Sequence, residues 1–278
     1  MIKCRYQEKN GDGMCILSYG DFAKKLENFV YKNYKSDLLI KIAYNPDRYI
    51  GNFRPVNPKI KLMQNVVQSY EIGFVDFMEY IVREYLGKFY KTLPNKERYQ
   101  DDIIYFDQLF IDNDTIYMIE QKMRDDHDSA KKRGFLEDFY KNIDYLKMKF
   151  PDKKIEAIMW FVDDSLSKNK KYYLSELNKK IEQNININLF YGKELMDYLG
   201  KGFIWDEILE YLEMWKKSSS DIELNFEKDW LATREELINN VSKFVWKKII
   251  NNKEIVDEIL PILFPGEGYK EILKEVMK

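Results

Sequence analysis

Between Ile72 and Phe89 the apolar positions recur at helical spacing. Phe74, Phe77, Met78, Ile81, Val82 and Tyr85 fall on one face, which predicts an amphipathic helix ending near Gly87. The pattern then changes. Runs rich in Ile, Tyr and Phe near 103–110 and 116–122 read as two strands around a polar centre, Asp112-Asn113-Asp114-Thr115. "DSAKKRGFLEDFYKNIDYLKMKF" predicts a long helix, capped at Asp128 or Ser129 and ending before Pro151. "KIEAIMWFV" is an almost unbroken apolar run, the signature of a strand covered on both faces. "SLSKNKKYYLSELNKKIEQ" reads as a helix and "ININLFY" as a strand, and Gly192 opens a short helix over "KELMDYLG". Tyr44–Lys61 is rich in Pro, Gly and Asn and reads as loop. From Phe203 the chain is mostly helical. The expected architecture is α/β, a mixed β-sheet of about four or five strands flanked by helices, with a helical C-terminal extension. The expected division is 1–202, with a core at about 72–200, and 203–278.

Composition narrows the possible classes. Of 278 residues 45 % are apolar, enough for a sizeable core. Charged residues make up 33 % and the formal net charge is −2, so the surface as a whole is no cationic coat; a nucleic-acid binder of this balance must gather its basic residues on one face. Cys4 and Cys15 match no zinc spacing and read as reduced thiols. There is no apolar signal segment, and no apolar run reaches the roughly 18 residues of a membrane span. The expectation is a soluble cytoplasmic protein.

The two arms of the hairpin carry charges that a buried strand would avoid. Asp107 lies in the first, Glu120 and Lys122 in the second. Side chains alternate faces along a strand. A two-residue loop at Asn113-Asp114 pairs Asp112 with Thr115, and a four-residue loop keeps the same register. Either places Asp107 opposite Glu120, Lys122 opposite Tyr105 on the same face, and Gln121 on the other. Opposed Cβ atoms lie about 4.5–5.5 Å apart. Two carboxylates so close repel unless a cation joins them, and such oxygens suit Mg²⁺ with waters and a substrate phosphate. A lysine beside them can hold a phosphate oxygen or help deprotonate the attacking water. The set fits metal-assisted phosphodiester hydrolysis.

At these residues the chain resembles the PD-(D/E)xK nuclease superfamily, and within it the type II restriction endonucleases. The match is Asp107, a spacer through the turn, then Glu120-Gln121-Lys122, followed by a charged loop and a long helix. The proline of the motif is absent, with Phe106 in its place. The resemblance covers about Ile72 to Gly200 and implies a restriction-endonuclease-like core. It also implies that Asp107 and Glu120 bind a metal, that Gln121 lends its backbone carbonyl, and that Lys122 is catalytic. A glutamate of the preceding helix, Glu79 or Glu71, fits as a further ligand. Mg²⁺, with Mn²⁺ as substitute, is the implied cofactor.

Arg124, Lys131, Lys132 and Arg133 follow the motif and suit DNA phosphates. His127, the only histidine, lies among them. The loop of Arg48, Asn52 and Arg54 offers cations able to read a base edge. The expected function is a site-specific double-stranded DNA endonuclease of a restriction–modification system. Its expected partners are duplex DNA, a second copy of the chain, and a cognate DNA methyltransferase as genetic partner, with no membrane. A repair or recombination nuclease on the same fold and a catalytically silent DNA-binding module are the alternatives.

Overall fold

The computed structural model describes residues 15–99, 102–179, 184–218 and 224–278. Cys4 and the last part of the helix expected over 165–183 lie outside the described residues. By its internal contacts the chain forms two units. One holds the residues up to Phe22 and Met78–Lys217, the other Ala23–Phe77 and Ser218–Lys278.

The first unit is built on a mixed sheet of five strands in the order β1-β4-β5-β6-β7. These are β1 (Lys91–Thr92), β4 (Gln108–Asp112), β5 (Thr115–Lys122), β6 (Lys154–Phe161) and β7 (Ile185–Tyr191). β2 (Lys96–Tyr99) and β3 (Asp102–Tyr105) form a separate antiparallel pair. β1, β4 and β5 run antiparallel, while β5, β6 and β7 are parallel. β6, between β5 and β7, is buried at every position after Lys154, as its unbroken apolar run requires. One face carries Met118, Met159 and Phe161 and packs on Phe135, Phe139 and Leu146 of the helix Ser129–Lys149. On the other, Trp160 meets Trp205 of the helix Gly202–Ser218 edge to face at 5.7 Å.

Local chemistry explains the element ends. The Asp128 carboxylate accepts the N–H groups of Ala130 and Lys131, capping the helix Ser129–Lys149 where the sequence places its start. The helix predicted from Ile72 instead begins at Pro58 and runs to Leu86. Asn57 Oδ1 accepts the Ile60 N–H at 3.0 Å, and Pro58 fits the first helical position, where no N–H is needed. The segment read as loop therefore also holds a helix start and a short helix at Asp47–Ile50.

The units differ from the expected division at 202/203. The helix Gly202–Ser218 stays with the sheet through Trp205. It also carries buried Glu207, whose carboxylate accepts the N–H groups of Ile16 and Leu17 and the Tyr85 hydroxyl. In the second unit, Leu38, Leu39, Ile42 and Tyr49 share a core with Phe226, Trp246, Ile259 and Phe264. Among the described residues no helix is long and apolar enough to cross a membrane.

Candidate active site

The hairpin turn is Asn113-Asp114, with Asn113 at φ 51°, a conformation asparagine tolerates better than most residues. Asp112 pairs with Thr115 and Gln108 with Ile119, the even register read from the sequence. The first arm, however, is not one strand. It breaks at Phe106-Asp107, so Tyr105 pairs with Lys96 in the separate sheet rather than opposing Lys122. Asp107 stands in the bend, one residue before β4.

Arg83 accounts for the break. Its guanidinium, on the helix Pro58–Leu86, donates to the carbonyls of both Phe106 (3.1 Å) and Asp107 (2.5 Å). Asn142 takes the Tyr105 carbonyl, and the Phe106 N–H goes to the Asn95 carbonyl. These backbone groups have left the ladder and found other partners, as half-buried polar groups must. The Asp107 carboxylate then swings to β5 and accepts the Gln121 N–H at 2.7 Å. Arg83 carries no sequence signal beyond a helical arginine, and pattern reading missed it.

Lys122 organises the remaining geometry. Its Nζ donates to Glu120 Oε1 at 2.7 Å, to the Gln121 carbonyl at 3.2 Å and to Asp107 Oδ2 at 3.4 Å. It also lies 4.8 Å from the Phe135 ring centre. Two carboxylate oxygens and one carbonyl thus converge on a single cation. Hard oxygens in this arrangement match what Mg²⁺ takes from a protein. Among the described residues no third His, Cys, Asp or Glu joins the two carboxylates as a metal-holding cluster. Glu79 sits on the neighbouring helix, where its carbonyl accepts Gln108 Nε2 at 2.8 Å and its charge acts on Arg83. Glu71 lies in the other unit.

The electrostatics follow from burial. Burial first, and then the Asp107 charge, push the Glu120 carboxyl up to about 7. Burial opposes the Lys122 charge, but Glu120 and Asp107 outweigh it and hold the ammonium above the ordinary lysine value. Two carboxylates and one ammonium leave one surplus negative charge, and a proton on Glu120 removes it. Gln121 points to the opposite face, where Gln108 Nε2 donates to its side-chain oxygen at 3.3 Å.

The loop after β5 is fixed by Asp125, which is fully buried. Its carboxylate accepts the Asn169 N–H (2.7 Å), Asn169 Nδ2 (2.8 Å) and the Tyr191 hydroxyl (3.0 Å). Around this anchor Arg124 is exposed, with its Nε 3.9 Å from Asp163. Lys131 and Arg133 are exposed on the first turn of the next helix, and Lys132 lies over the Tyr172 ring at 4.4 Å. His127 is held against the Tyr173 hydroxyl at 3.2 Å, and burial lowers its pKa. No sequence signal marks the Asp125 anchor; an acidic residue in a charged loop looks solvated.

Arg83→Ala is expected to unsettle the bend. Two half-buried carbonyls lose their donor, at a cost of about 1–3 kcal/mol. Cleavage should fall by at least about tenfold as the Asp107 carboxylate loses its fixed approach, since small misplacements cost heavily at a reacting centre. Thermal melts and cleavage rates measure both effects, and unchanged cleavage would remove Arg83 from the site.

Residues 88–216 match the family model of the type II restriction endonuclease HinfI. The matched stretch contains the bend, the hairpin, Lys122 and the basic loop. No curated protein matches the chain.

Proposed function

We propose that Asp107, Glu120 and Lys122 form the phosphodiester-cleaving centre of a site-specific deoxyribonuclease, a reading supported by the match of residues 88–216 to the HinfI family of type II restriction endonucleases. The observation that carries this reading is the convergence of Asp107, Glu120 and the Gln121 carbonyl on one cation position at Lys122. Those three oxygens would hold a divalent metal, Mg²⁺ or in its place Mn²⁺. When bound, that ion lowers the pKa of water and offsets charge on the phosphorus. The Gln121 N–H orients the Asp107 carboxylate. Lys122, kept as an ammonium, is suited to hold a nonbridging phosphate oxygen rather than to take a proton from water. Phe135 beneath it limits solvent around the charge.

Arg124, Lys131, Lys132 and Arg133 follow the centre and suit the DNA backbone. Cutting both strands of a symmetric site favours a C₂ homodimer. Such an enzyme belongs with a DNA methyltransferase that protects host sites, in a restriction–modification system. Digesting a mapped plasmid with Mg²⁺, and again with EDTA, tests the reading. Discrete fragments only with metal support it; a continuous smear would point to an exonuclease, and binding without cleavage to a silent module.

The basic loop yields a separate expectation. A Lys132→Ala/Arg133→Ala pair, or Arg124→Ala, should weaken binding to every duplex about equally. The slope of log affinity against log salt should flatten by roughly 0.9 for each phosphate no longer neutralised. Salt titrations by fluorescence anisotropy measure it, and an unchanged slope would make these residues ordinary surface.

A further inference from the structure

In the second unit, Tyr44–Lys61 turns three cations toward one space. Arg48, Arg54 and Lys61, with Tyr44 and Asp47, line an open cavity of about 620 Å³. Beside the cavity, the Lys248 ammonium lies 4.3 Å from the ring centre of Tyr44. Asp47 is the one acid in the lining. Among the described residues, neither Arg48, Arg54 nor Lys61 forms an ion pair; Lys61 instead donates to Gln64 at 2.8 Å. Like charges collected without carboxylate partners concentrate a positive field in the cavity and favour an anion there.

The loop between these cations is well anchored. Tyr49 is fully buried and fixes the short helix Asp47–Ile50. The Gly51 N–H closes on the Asp47 carbonyl, and a Cβ at Gly51 would lie 2.6 Å from that oxygen. The turn therefore requires glycine here. Arg54 holds it further, donating its N–H to the Gly51 carbonyl (3.0 Å) and its Nε to the Asp47 carbonyl (3.2 Å). What this turn presents is Phe53, 97 % exposed. A phenyl ring held entirely in water, next in sequence to a cavity-lining arginine, has no role in the core of its own unit.

We propose that this loop is a DNA contact separate from the cleaving centre. Arg48, Arg54 and Lys61 take a backbone phosphate of duplex DNA, and Phe53 stacks on or wedges between the bases beside it. Duplex DNA offers backbone phosphates beside base steps whose faces open when the step is kinked, and apolar wedges flanked by basic residues unstack and kink base steps in this way. A free phosphate would use the cations and leave the ring exposed. The site lies outside residues 88–216, so the family match does not assign it. The choice of DNA as ligand rests on the nuclease reading above.

The test uses the full chain with Ca²⁺ and a duplex, labelled with 2-aminopurine, that the wild type cleaves in Mg²⁺. Arg48→Ala/Arg54→Ala should weaken binding at least about tenfold at intermediate salt and flatten the salt slope by roughly 0.9 per phosphate no longer neutralised. Phe53→Ala should weaken binding roughly tenfold, on the scale of removing one stacked base, with the slope unchanged. It should also abolish the 2-aminopurine fluorescence rise, and Phe53→Trp should restore both. Phe53 and Arg48 are exposed, so Phe53→Ala should leave the melting temperature unmoved, whereas Arg54→Ala also loses the Nε bond to the Asp47 carbonyl and should lower it slightly. If the wild type cleaves but the double variant binds with wild-type affinity and slope, the site is overturned and the nuclease reading stands. Weakened binding by the double variant with no change in Phe53→Ala overturns the stacking role. A wild type that neither binds nor cleaves duplex DNA overturns the nuclease reading and this site with it.

Discussion

Lys122→Ala is expected to lower cleavage at least about 10²-fold, the scale of losing one preorganised charge-stabilising group. Its ammonium touches Asp107, Glu120 and the Gln121 carbonyl, and no other described cation has that position. Asp107→Ala and Glu120→Ala should each cost as much. The triple variant should be little worse than the worst single one, because groups that act as a unit are not additive. Stability separates the three. Removing either carboxylate relieves a buried repulsion and should leave the metal-free fold intact. Lys122→Ala leaves the carboxylates facing each other with no cation, so it should be the least stable of the set. The pH dependence follows from Glu120, whose folded value of about 7 lies above its ordinary 4.5. The folded chain holds that proton where the unfolded chain has released it. Metal-free stability should therefore be highest below about 4.5 as far as this group contributes, and fall as pH rises to 7. Glu120→Gln removes that slope. Melts between pH 5 and 8 in EDTA, beside cleavage rates in Mg²⁺, provide both readouts. Wild-type cleavage by Lys122→Ala would mean that Glu120-Gln121-Lys122 has no part in the chemistry.

What the sequence made legible is what local rules control. The continuous apolar run at Ile155–Phe161 announced a strand covered on both faces. Asp128 announced a helix start, and Asn113 with Asp114 an even hairpin register. Within that register the closeness of Asp107, Glu120 and Lys122 follows from the alternation of side chains along the strands. What stayed hidden depends on partners distant in sequence. Residues 103–110 have the composition of one strand, and only Arg83, more than twenty positions earlier, takes the two carbonyls that break it. The break moves Tyr105 to another sheet and leaves Asp107 in a bend, free to reach the Gln121 N–H. Pro58 hid the start of its helix because prolines and asparagines around it signal loop, yet Asn57-Pro58 is itself a helix entry. The second unit was equally hidden. Nothing in Leu38, Ile42 or Tyr49 shows that they share a core with Trp246 and Phe264, two hundred positions on. Asp125 belongs to the same class, since its three donors come from Asn169 and Tyr191.

Chelation should abolish cleavage, and metal binding should be visible without any cleavage. The Lys122 ammonium touches all three candidate ligand oxygens. A divalent metal held by Asp107, Glu120 and the Gln121 carbonyl would compete with that ammonium and with the proton that Glu120 holds below about 7. Metal affinity should accordingly rise with pH between 6 and 8. A ligand that binds only the folded chain stabilises it by RT ln(1 + [L]/Kd), about 2.7 kcal/mol at a hundredfold excess over Kd. For a chain of this size that corresponds to a rise of several degrees in melting temperature. Mg²⁺ and Mn²⁺ should give the rise and support cleavage. Ca²⁺ should give the rise and support DNA binding with little cleavage, because its looser shell positions water less strictly. Asp107→Asn and Glu120→Gln each remove one charged ligand and should lose most of the shift in all three metals. A variant at Asp163, which contacts Arg124 and none of the three oxygens, should keep it. If Asp107→Asn/Glu120→Gln shows the wild-type shift, the metal binds elsewhere and the convergence on Lys122 is a salt bridge alone. If cleavage persists in excess EDTA, Asp107 and Glu120 serve chemistry that needs no ion.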